Sequence, residues 1–95
     1  MGHVVDHASN AQAFKRRVGS RIRRRRELEG LSQQALAFKL KGSVDVGQVS
    51  RWERGLSFPS LAHLNALARA FEISEEELLC NAREETEAKT RPQSN

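Results

Sequence analysis

The sequence is punctuated at short intervals by residues that stop and start helices. Gly30 is followed by Ser32, Gly42 and Ser43 by Asp45, Gly55 by Pro59 and Ser60, and Ser74 stands three residues before Glu77. Glycine adopts the left-handed conformation that closes a helix, and Ser or Asp accepts the backbone N–H groups left open at the next helix start. Ser74 with Glu77 is a capping box. Between these marks the apolar residues recur at spacings of three and four, and no segment alternates strictly as a half-buried strand does. These signals predict an all-α chain of five short helices joined by tight turns around one small core.

From Asn10 to Glu29, Ala11, Phe14, Val18, Ile22 and Leu28 share one face of a long first helix, with Gly19 inside it. Arg21 and Arg25 intrude on that face, their stems lying along it and their charged heads in solvent. Residues 33–40 form a short second helix with Leu36 and Leu40 facing one way. Asp45 caps a third, from Val46 to about Arg54, whose apolar points are Val49 and Trp52. A fourth carries Leu61, Leu64, Leu67, Ala68 and Phe71. A fifth carries Leu78 and Leu79 and runs on through Ala82 toward Ala88. The expected organisation is a flexible tail over 1–9, one domain over 10–82 and a charged, disordered tail over 83–95.

Composition then narrows the function. Ninety-five residues hold a single domain with little core to spare. The single cysteine, Cys80, excludes an internal disulfide framework and a multi-cysteine zinc site. His3 and His7 flank Asp6 with no further ligand at metal spacing, so no metal is expected. No apolar run approaches the roughly 20 residues of a membrane span, and none of signal-peptide length opens the chain, which predicts a cytoplasmic protein on the nucleoid. There is no Gly-rich phosphate loop, no nucleophile–base set and no H-E-x-x-H, so the chain reads as a non-enzyme without a cofactor. No small-molecule pocket can be argued from so small a core.

The charge is graded. Residues 1–41 carry ten Lys/Arg against three Asp/Glu, residues 42–71 three against two, and residues 72–95 three against seven. A basic half points to a polyanionic partner, or else to a solvated arginine-rich helix face.

Two short helices joined by a Gly-containing turn are the layout of a helix-turn-helix. The residues that fill it are Gly30-Leu31-Ser32-Gln33-Gln34-Ala35-Leu36-Ala37, Val49-Ser50-Arg51-Trp52-Glu53-Arg54-Gly55, Pro59-Ser60-Leu61, Leu64, Leu67-Ala68, Ile73-Ser74 and Glu77-Leu78-Leu79. In this order they resemble the Cro/C1-type (XRE-like) helix-turn-helix family, over about residues 14–80, with the motif at 33–54. The resemblance implies a compact five-helix, lambda-repressor-like fold that binds duplex DNA. It implies a homodimer on a palindromic operator, with the third helix in the major groove and the second crossing the backbone.

Position by position, the resemblance implies that Gln33 contacts a phosphate and braces the third helix, with Gln34 beside it. It makes Asp45 the cap of the recognition helix. Val46, Gly47, Gln48 and Arg51 become groove-facing, with Ser50 on the same helix. Arg54 and Ser57 belong to a backbone-contacting segment, and Val49 and Trp52 to the core. It also implies an ion pair between Arg26 and Glu53. The chain departs from the family in two ways. Counting from Leu40 to Trp52 gives twelve steps, two more than is usual, which lengthens the turn at Lys41-Gly42-Ser43. Gly47 has no side chain with which to read a base, so readout falls on Gln48 and Arg51, with Lys41 and Ser43 as helpers and Val46 touching a thymine methyl.

Other readings stand beside these. Arg21–Arg26 holds five arginines, either a phosphate-facing patch or a solvated surface. Trp52 is expected in the core and His63 on the surface. The leading function is a sequence-specific transcriptional regulator of repressor type. The alternatives are a protein–protein coactivator module on the same fold and an antitoxin-type autoregulator.

Overall fold

The computed structural model describes residues 7–79. Five helices follow one another: α1 (His7–Leu28), α2 (Gln33–Lys39), α3 (Val46–Glu53), α4 (Leu61–Phe71) and α5 (Glu75–Leu79). No strand occurs among the described residues. The first helix begins at His7, so three residues expected in the tail belong to it. Residues 1–6, Cys80 and the C-terminal segment read as a helix extension and tail lie outside the described residues.

The helix starts are made by local side-chain bonds. Ser32 Oγ accepts from Ala35 N at 2.9 Å, Asp45 Oδ1 from Gln48 N at 2.8 Å and Ser60 Oγ from His63 N at 3.1 Å. Ser74 and Glu77 satisfy each other's backbone N–H groups at 3.2 and 3.3 Å. Three helix ends share one geometry. After α1, Leu31 N reaches Arg26 O; after α3, Leu56 N reaches Arg51 O; after α4, Ile73 N reaches Ala68 O. Each spans five residues around a left-handed residue, which is the Schellman closure. Glycine fills that place twice, at Gly30 and Gly55, and Glu72 fills it the third time with φ 59°.

The core joins Val18 and Ile22 of α1 to Leu36, Ala37 and Leu40 of the second helix and its end. Val49 and Trp52 of α3, Leu64, Leu67, Ala68 and Phe71 of α4, and Leu78 of α5 complete it. Four residues expected on apolar faces lie outside the core. Ala11 and Phe14, near the start of α1, are exposed. Leu28 is 69% exposed, because six residues past Ile22 the helix has turned by about 240°. Leu61, in the first turn of α4, is 79% exposed.

One residue fixes how the long helix meets α3. A Cβ on Gly19 would collide with the carbonyl oxygens of Trp52 and Glu53. With no Cβ, α1 approaches the end of α3 backbone to backbone. The N-terminal part of α1 also holds the loop after α3. Gln12 Nε2 donates to Gly55 O at 3.1 Å, and Phe14 stacks on Phe58 with ring centroids 5.6 Å apart.

Candidate nucleic-acid interface

The third helix has two unlike faces. Val49 and Trp52 are buried, at 0% and 1% exposure, while Val46 and Arg51 stand in solvent and Gly47, Gln48 and Ser50 are half-buried. At about 100° per residue Gly47 and Arg51 lie opposite the buried pair, at the middle of the outward face. A helix anchored in this way presents a fixed row of side chains to a partner.

Glu53, the only carboxylate within α3, is turned into the protein. Arg26 Nε donates to Glu53 Oε2 at 2.6 Å and Arg26 Nη2 to Glu53 Oε1 at 3.0 Å. Gln33 Nε2 donates to the same Oε1 at 2.9 Å, and Arg26 Nη1 donates to Leu31 O at 2.7 Å. The side chains of Arg26 and Glu53 are only 11% and 3% exposed. The hydrogen bond to Glu53 raises the Arg26 pKa above its already high ordinary value; burial opposes the rise, and the charges of Glu53 and Glu27 add to it. One carboxylate thus ties the start of α2, the end of α3 and the last turns of α1 together. An anion in this place would otherwise repel phosphates near the outward face.

Gln48 and Arg51 are joined to each other and to the loop. Gln48 Nε2 donates to Ser57 Oγ at 3.0 Å, and Arg51 Nη2 donates to Gln48 Oε1 at 2.8 Å. Gln34 and Arg54 are exposed. In the longer turn, Lys41 and Gly42 both take left-handed conformations, with φ 58° and 76°. Ser43 Oγ donates to Leu40 O at 2.9 Å, which closes the turn and leaves the exposed hydroxyl oxygen as an acceptor. Lys41 lies beside an exposed Phe38 and Lys39 around a shallow apolar recess.

The arginine run is largely neutralised within the protein. Arg23 pairs with Glu27 at 3.1 Å and Arg25 with Glu29 at 3.2 Å, each one helical turn on. Arg21 Nη1 reaches Leu79 O at 3.4 Å. Several guanidinium groups of the run thus have partners within the protein.

Two features escaped the sequence. Gly19 reads in the sequence only as a glycine inside a helix, and nothing local reveals that a backbone lies against it. His63, expected on the surface, is half-buried with its ring 5.4 Å from that of Trp52, and its Nδ1 is 3.1 Å from Ser60 Oγ. Its place two residues after Leu61 gave no sign of this. Leu78 of α5 closes the core at 1% exposure. Among the described residues no group of His, Cys, Asp and Glu is placed to hold a metal ion, and no helix is long and apolar enough to cross a membrane.

Five helices around one core, with a two-helix unit holding a rigid outward face, define a helix-turn-helix domain. A family model described as helix-turn-helix matches residues 22–78. The chain belongs to this family, the Cro/C1-type helix-turn-helix proteins, which are DNA-binding transcriptional regulators. Among solved structures it is similar to the restriction-modification controller protein C.AhdI from Aeromonas hydrophila, with 37% identity and a TM-score of 0.65, over 70% of this chain and 94% of that one. It also shares the fold of a hypothetical transcription factor, NHTF, from Neisseria, with 23% identity and a TM-score of 0.68, over 90% of this chain and 94% of that one. No curated protein matches the chain significantly.

Proposed function

We propose that the protein is a sequence-specific duplex-DNA-binding regulator of repressor type, with α3 lying in the major groove. The observation that carries this reading is the arrangement of α3. Its apolar side is locked into the core, its one carboxylate is drawn inward by Arg26 and Gln33, and its outward side offers Val46, Gln48 and Arg51. Such a surface suits the major groove, where an anion facing outward would be repelled. Gln33 and Gln34 at the start of α2, with Ser50, Arg54, Ser57 and the turn residues Lys41 and Ser43 around α3, are assigned to the DNA surface. Helix N-termini and amide side chains suit phosphate oxygens.

The protein acts as a homodimer on a palindromic operator, within the cytoplasm and on the nucleoid, and needs no cofactor or small-molecule ligand. The domain proper spans residues 10–82. Among such regulators, the 37% identity to a restriction-modification controller favours control of linked genes of that kind.

The test is a titration of the full chain against a duplex enriched from a random pool and against unselected duplex. Tight binding to the enriched duplex, with repression of a reporter carrying it, supports the reading. Equal binding to all duplexes reduces it to nonspecific binding, and no binding at low salt points to the coactivator alternative. Sedimentation at micromolar concentration should show a dimer, and a monomer bound one to one on a palindrome would refute the dimer.

A further inference from the structure

Within the outward face of α3, the two atoms with which a glutamine would read adenine already have protein partners. Gln48 Nε2 is given to Ser57 Oγ at 3.0 Å, and Gln48 Oε1 accepts from Arg51 Nη2 at 2.8 Å. Reading adenine takes the amide oxygen for N6 and the amide nitrogen for N7 at once. The amide of Gln48 is instead strung between a loop hydroxyl and an arginine.

Arg51 is differently placed. It is exposed and has no carboxylate partner among the described residues. Long helical side chains lean toward the N-terminus of their helix, over the residue four before. Here that residue is Gly47, and Arg51 Nη1 lies 3.6 Å from where a Gly47 Cβ would stand. The bare backbone at 47 leaves the middle of the outward face open, and the guanidinium occupies it. Of its five N–H groups, one goes to Gln48. Those that remain include the adjacent pair that a guanine O6 and N7 accept.

We propose that Arg51 is the guanine-reading residue of the site, that Gln48 and Ser57 position its guanidinium instead of reading bases themselves, and that Gly47 is the seat over which it lies. The inference rests on the DNA-binding reading above and adds the base, the reader and its supports. A Cβ at 47 would only touch the guanidinium, so it is a side chain larger than alanine that should displace it.

The experiment takes the duplex enriched by the full chain and replaces its guanines, one position per half-site at a time, with 7-deazaguanine. This base pairs normally and lacks the N7 acceptor. For the parent protein, one position should weaken binding by about tenfold, the loss expected when one of the two charge-assisted bonds of a bidentate guanine contact cannot form. The readout for each variant is the affinity ratio between the parent duplex and that substituted duplex. Arg51→Ala should bring the ratio to one. Gln48→Ala, Ser57→Ala and Gly47→Val should each lower it. A merely structural role would weaken both duplexes alike and leave the ratio unchanged.

The proposal is overturned if no 7-deazaguanine weakens the parent, if Arg51→Ala keeps the full ratio, or if Gln48→Ala and Ser57→Ala both keep it. If no duplex is enriched at all, the DNA-binding reading falls as well. An enriched duplex whose guanines are indifferent to Arg51 overturns this inference alone.

Discussion

Arg26 and Glu53, twenty-seven residues apart, meet face to face through two parallel N–H···O bonds in a nearly dry setting between α1 and α3. The paired geometry suits guanidinium and carboxylate, and Gln33 and Leu31 O satisfy further lone pairs and protons around it. Removing one partner leaves the other charged and buried. Arg26→Met should therefore destabilise the fold by about 3–5 kcal/mol. The double change Arg26→Met with Glu53→Leu should recover much of that loss, because a buried pair replaced by apolar groups is often neutral. Denaturant melts of the parent, both single variants and the double variant give the answer. A stable Arg26→Met protein with only its DNA affinity reduced would return Arg26 to the phosphate-binding role.

The close passage of α1 over the end of α3 makes Gly19 intolerant of an added side chain. Alanine favours a helix interior over glycine by about 1 kcal/mol. Against that, the new Cβ would press on the backbone carbonyls of Trp52 and Glu53, which have no rotamer with which to move aside. Overpacking of this kind costs about 1–3 kcal/mol or more. Gly19→Ala should lower the Tm despite its better propensity and should also weaken DNA binding, since α3 must shift. A variant as stable as the parent would show that the two helices can separate freely.

Binding should fall steeply with salt. About four to eight phosphate contacts across a dimer give a slope of log K against log salt of about −4 to −7. Fluorescence anisotropy on the enriched duplex between low and physiological salt measures it. A slope near zero would mean that the contacts are not to phosphates.

Gln33 holds Glu53 and also stands at the start of α2, where phosphates are expected. Gln33→Ala should weaken binding to all sequences by a similar factor and cost about 1 kcal/mol of stability from the lost bond. Parallel titrations on enriched and random duplexes separate this from a base-reading role. A loss confined to the enriched duplex would place Gln33 among the base readers.

The boundaries of the helices were legible in the sequence because the interactions that set them are local. Ser32, Asp45, Ser60 and Ser74 each bond to an N–H three residues on, and Gly30 and Gly55 close helices by their own backbone freedom. The two-faced character of α3 was legible for the same reason, since Val49 and Trp52 at spacing three define one side. The Arg26–Glu53 contact was reached through the family resemblance together with the position of Glu53 beside Trp52.

What lay beyond the sequence depends on residues far apart in the chain. Whether Leu28 and Leu61 are covered, whether His63 finds an aromatic neighbour, and whether Gly19 faces solvent or a carbonyl are decided by which helix lies across each of them. So is the fate of Gln48, whose amide is held by Ser57 from the loop after its own helix, and which passes that constraint to Arg51. Periodicity states which side of a helix is apolar. The distance at which the next backbone crosses it follows only from closing all five helices around one core, because packing couples every crossing to the others.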